Sequence, residues 1–193
     1  MKSLVVVQKF CKVAFIIAKV LMILLFVGAG IIFSSALMMF GLSASEEFNQ
    51  ILAASLVDFE LGYNAYQLGM LMIATSVITF ANGIVFMYIK KYFKNELTEG
   101  TPFTHRGAEE LKFLGIRVVV WPLVASIVAS IICSFANIVE EFDVSVDIGL
   151  GIALIFLSFV FHYGAELKEK ADAFEKREEI ENEEIEVDTP DEF

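Results

Sequence analysis

The chain is 193 residues long, 57% of them hydrophobic, with a mean hydropathy of +0.69. That is too apolar for an ordinary soluble domain, where apolar usage is about 45–50%, and the length allows one compact domain. The net charge of −11, much of it in the last thirty or so residues, argues against direct nucleic-acid binding, which requires a basic face.

A helix needs about 20 apolar residues to cross a ~30 Å hydrocarbon core. Four segments qualify, with spans expected at 20–42, 68–89, 118–139 and 147–164. The runs are continuous and lack the alternation of a membrane β-barrel. The predicted fold is therefore all-α: an integral membrane bundle of four antiparallel transmembrane helices over residues 1–175, embedded in the lipid bilayer. An acidic, disordered cytoplasmic tail is expected over 176–193.

From the N-terminus, Gln8, Lys12 and Lys19 share one face at 100° per residue. The segment 4–18 is thus expected to lie at the inner interface, with Lys19 snorkelling to the headgroups. Ser43, Ala44 and Ser45 look like a small-residue cleavage site. The apolar run before them far exceeds the roughly 7–15 residues of a signal peptide core, so the span is expected to be kept. Gly30 and Ser34 have small-xxx-small spacing, which suits a helix–helix contact.

The next stretch, 43–67, is acidic, and Phe48, Ile51, Leu52 and Leu56 repeat at helical spacing, predicting a short surface helix. Tyr63 and Tyr66 suit an interfacial aromatic belt. The second span carries Thr75, Thr79 and Asn82 on one face. After it, Gly100 and Pro102 interrupt the helix; Thr101 or Thr104 can cap the following one, with Pro102 suited to its first turn. That helix is expected to run through Lys112 and Arg117 into the third span, where Pro122 removes one backbone bond.

Ser126, Ser130, Cys133 and Asn137 fall on one side of the third span, and Gly151, Ser158 and His162 form a stripe on the fourth. Such residues serve close helix packing. The sharper alternative is a permeation or efflux path, tested first at Asn82 and Asn137. Packing is favoured because no Asp, Glu, Lys or Arg sits in the middle of any span.

Orientation follows from the 14 basic residues. Lys2, Lys9, Lys12 and Lys19 precede the first span, six more from Lys90 to Arg117 lie between the second and third, and Lys168, Lys170, Lys176 and Arg177 follow the fourth. The other two connections carry none. The positive-inside rule then predicts a cell-membrane protein with both termini cytoplasmic.

The two histidines, His105 and His162, are expected near the cytoplasmic surface, where they can meet with Glu166, although the pair is a thin ligand set for a metal. Cys11 and Cys133 lack metal or disulfide spacing, and no phosphate loop, nucleophile elbow or HExxH pattern occurs. No cofactor, metal site or enzymatic activity is expected.

Two motifs point further. One is Gly100-Thr101-Pro102-Phe103-Thr104, followed by Leu111-Lys112 and Leu114-Gly115. The other is Phe161-His162-Tyr163-Gly164-Ala165-Glu166-Leu167-Lys168-Glu169 with Asp172. With the four-span layout, they resemble the bacterial membrane proteins grouped as domain-of-unknown-function family 2975, over about residues 10–175. That family has no established activity. Its members are often encoded beside a small Cro-like helix-turn-helix regulator, so the resemblance implies a membrane partner for a transcription factor. The acidic extension after Asp172 departs from the family's compact end.

The reading favoured at this stage is a non-enzymatic accessory or regulatory protein. Its partner-binding face would be cytoplasmic, at Pro102, Phe103, Gly164, Glu166 and Asp172, with Asn82, Asn137, Ser130 and His162 as intramembrane polar residues. Alternatives are a small efflux protein, including a homo-oligomer, and an immunity-type protein that acts through its external loops.

Overall fold

The computed structural model describes residues 2–56, 63–99, 104–139 and 142–187. They form five helices: α1 (Lys2–Leu42), α2 (Glu46–Leu56), α3 (Ala65–Glu99), α4 (His105–Phe135) and α5 (Ser145–Val187). Four of them, all but α2, are long and apolar enough to cross a membrane.

The helix ends have local causes. Ser45 Oγ accepts from Phe48 N–H at 3.3 Å, and Glu46 and Glu47 occupy the first turn of α2, where carboxylates complement the helix dipole. Before α3, Asn64 Oδ1 accepts from Gln67 N–H at 2.8 Å while Gln67 Oε1 accepts from Asn64 N–H at 3.1 Å. That is a reciprocal capping box. Thr104 caps α4 by accepting from Gly107 N–H at 2.9 Å. His105 is the first helical residue, so Pro102 precedes α4 instead of sitting in its first turn, and it lies outside the described residues.

The third span ends earlier than its apolar composition suggests. Ile138 N–H bonds Cys133 O at 3.0 Å and Asn137 N–H bonds Ser134 O at 3.1 Å. This pair, with Asn137 at φ 53°, is a Schellman stop. Buried Ile138 and Cys133 share one apolar cluster, which supplies the hydrophobic contact that accompanies the motif. Gln67 Nε2 donates to Ala136 O at 3.2 Å and satisfies another terminal carbonyl.

The long helices pack in a row: α1 on α3, α3 on α4, and α4 on α5. Among the described residues, α1 and α5 form no comparable contact. The arrangement is thus an open row, a feature that the expected four-helix bundle left unspecified. Along α1 and α3, Phe40 meets Tyr66 and Phe26 meets Phe80, with ring centroids 5.7 and 5.2 Å apart. Asn49 of α2 ties the α1–α3 turn together, donating to Ser43 O and accepting from Ala65 N–H.

The interior is built from small side chains. Ala36, Ala65, Ala74 and Ala129 are fully buried, while Leu24, Ile31, Phe135 and Phe156 are largely exposed. Such an inversion would be costly in water, but it suits a lipid surround, where close approach of small residues drives helix association. Gly30 does not serve the contact expected of it: a Cβ there would meet nothing within 4 Å.

At 1.5 Å per residue, the 43 residues of α5 span about 65 Å. This is twice a hydrocarbon core. The helix continues without a break to Val187; the rest of the tail expected to be disordered, 188–193, lies outside the described residues. Acid-before-base pairs such as Glu166 with Lys170 and Asp172 with Lys176 favour its continuation.

Candidate functional site

The start of α4 and the middle of α5 meet on the side rich in Lys and Arg. His162, Glu166 and Glu169 fall at i, i+4 and i+7 on α5 and so share a face. The Thr104 cap sets His105 opposite them. His105 Nδ1 and His162 Nδ1 lie 3.2 Å apart, with the rings edge-on at 4.7 Å between centroids. His105 Nε2 is 3.2 Å from Glu169 Oε1, and His162 Nε2 is 3.6 Å from Glu166 Oε1. The result is a four-residue chain, Glu169–His105–His162–Glu166.

Two facing Nδ1 atoms can share a hydrogen bond only when one donates and the other accepts, and each Nε2 faces a carboxylate. The histidine side chains are 40% and 50% exposed, so the chain is open to solvent or to a partner. Among the described residues, no three His, Cys, Asp or Glu are grouped to hold a metal ion.

The expected site residues divide by position. Gly164 is half-buried on α5, next to fully buried Ala165, while Glu166 and Asp172 are exposed. Phe103, like Pro102, lies outside the described residues. The intramembrane set does not come together. Asn137 lies past the end of α4 and is exposed, so it is a helix stop and not a member of the third-span stripe. Asn82 and Ser130 are half-buried on α3 and α4.

The neighbouring hydroxyls turn inward on their own helices: Thr75 donates to Leu71 O, Thr79 to Thr75 O, and Ser134 to Ser130 O. Such back-bonding uses the hydroxyl protons that a polar pathway would need.

Two residues outside the expected set also matter. Glu169 completes the histidine chain. Glu96, buried on α3, is hydrogen-bonded with Tyr92. Its inward direction was readable from register, since Val85, Tyr92 and Glu96 recur at i, i+7 and i+11 on one buried face. No family model, curated protein or solved structure matches this chain.

Proposed function

We propose that the chain is an antiparallel four-span membrane protein, with both termini cytoplasmic, that acts as a non-enzymatic accessory or regulatory protein. Its working element is the part of α5 beyond the bilayer. Residues 166–187 extend about 33 Å as helix. From Glu178 onward this stretch reads Glu-Glu-Ile-Glu-Asn-Glu-Glu-Ile-Glu, with no basic residue. The observation that carries the reading is the Glu169–His105–His162–Glu166 chain, which fixes the base of that helix to α4 and so sets its direction. The sorting of all 14 basic residues to one side supports the orientation.

A rigid acidic helix suits a basic soluble protein. The resemblance to family 2975 favours a small helix-turn-helix regulator in that role. The test is in-cell photo-crosslinking from position 172 of the full chain. A discrete adduct with a soluble basic protein, reduced by His162→Ala, is expected. Self-adducts alone would count decisively against an adaptor role.

A further inference from the structure

A second feature at the basic end lies between α3 and α4, apart from the histidine chain. Tyr88, Lys91, Tyr92, Asn95, Glu110 and Arg117 are among the residues that line a groove of about 220 Å³. Arg117 lies over the Tyr88 ring at 4.3 Å from its centroid. This stacking fixes the guanidinium plane while leaving its N–H edge available.

Among the described residues, no carboxylate is ion-paired with Arg117 or Lys91. The groove's own carboxylate is already engaged: Glu110 Oε2 accepts from Asn95 Nδ2 at 2.8 Å and Oε1 accepts from Arg106 Nε at 3.3 Å. The groove therefore presents two cations that no carboxylate pairs directly, beside an acid already engaged by Asn95 and Arg106.

Position adds a second constraint. Lys91 follows Lys90, which closes the charge-free stretch of α3, and Arg117 immediately precedes the apolar run of α4. Both stand where hydrocarbon gives way to headgroups. The volume is small for a drug-sized ligand but suits a single compact anionic group. A planar guanidinium matched to a phosphate oxygen pair, with an ammonium beside it, is a phosphate-recognising arrangement.

We propose that this groove binds the phosphate of an anionic phospholipid headgroup, with Arg117 and Lys91 as the charged contacts. Bound lipid would then bridge α3 and α4 beside Trp121, which packs in the adjoining apolar cluster. The site is independent of the proposed partner-binding helix.

Trp121 is the only tryptophan in the chain and lies one turn from Arg117, so it reports directly. The full chain is reconstituted with either phosphatidylglycerol or phosphatidylcholine carrying brominated acyl chains, which quench nearby tryptophan. Brominated phosphatidylglycerol is expected to quench at lower mole fraction than phosphatidylcholine. Arg117→Gln and Lys91→Gln should each reduce that preference by roughly fivefold. Lys168→Gln, on α5, should leave it intact. Because the preference is a ratio of two lipids measured on the same purified chain, a uniform loss of folded protein lowers both arms alike. Equal quenching by the two lipids in the unaltered chain, or an unchanged preference in both groove variants, overturns the proposal. So does suppression of the preference by inorganic phosphate, which would make soluble phosphate the ligand.

Discussion

The α4–α5 and α1–α3 pairs both place glycine at the contact, yet they use it differently. Between α4 and α5 the two backbones touch: a Cβ on Gly115 would stand 2.8 Å from Gly151 O, and one on Gly151 would stand 2.3 Å from Val119 Cγ2. Between α1 and α3, glycine receives a ring instead. Phe26 covers Gly83 and Phe40 covers Gly69, each with its nearest atom 3.0 Å from where a Cβ would be. Backbone cannot retreat, whereas a ring at a lipid-facing edge can. The first pair should be brittle and the second forgiving.

The largest effect is expected at Gly151. Gly151→Ala drives a methyl into Val119 and the Gly115 carbonyl, and should cost about 2–3 kcal/mol, measured by reversible unfolding of the full chain in detergent. Adding Gly115→Ala should cost less than the sum, because both changes open the same contact. A Gly151→Ala chain as stable as the parent would remove the backbone contact from the account. Next comes the far end of α4, where Asn137 holds φ 53°. Asn137→Val should cost about 1–2 kcal/mol, whereas Asn137→Gly should be close to neutral. Equal costs would show that this position is not a helix stop.

On the other pair the sign reverses. A cavity of about 360 Å³ adjoins Phe26 and Phe80, so the Phe26 ring has space to shift. Gly83→Ala should then gain most of the helix-propensity difference, about 0.5–1 kcal/mol. A loss as large as that of Gly151→Ala would erase the distinction between the pairs.

Smaller still is the histidine contact that extends the α4–α5 pair. His162→Ala should change global stability by under about 1 kcal/mol, as exposed ionic contacts do. It should nonetheless raise amide exchange at 164–172, where α5 leaves the row. Unchanged exchange there would mean that the pair does not anchor the projecting helix.

Much of this was legible in the sequence for identifiable reasons. Four spans follow from apolar run length, and the short surface helix α2 follows from its spacing. The stripe of Gly151, Ser158 and His162 does face α4: Gly151 meets Gly115, Ser158 is 3% exposed, and His162 meets His105. The meeting of His105, His162 and Glu166 was readable because each has a fixed place on a long helix near one surface. Where composition misled, local geometry had the last word. Gly30 and Ser34 have packing spacing but face outward, since spacing alone does not say which face has a neighbour. Asn137 continues the stripe of Ser126, Ser130 and Cys133 in sequence, yet its tolerance of positive φ ends the helix. The open row was not readable, because four amphipathically weak helices carry little information on which faces meet.

The smallest effect concerns the other end of α5 and sharpens the contrast between an anchored exit and a capped start. Asp143 Oδ1 accepts from Ser145 N–H at 2.8 Å, just before the first turn. Hydrogen bonds from the Ser145 side chain and backbone hold the Asp143 carboxyl below its ordinary value. The folded state therefore favours the ionised form. The cap should be complete above the ordinary carboxylate value of about 3.9 and should be lost as pH falls through the lower folded-state value. The Ser145 amide resonance should report this directly, moving with a midpoint below that of a free aspartate and losing the transition in Asp143→Asn. A midpoint at or above the ordinary value would mean that the carboxylate does not cap the helix. The start of α5 would then be held by packing alone, as its second turn is at Gly151.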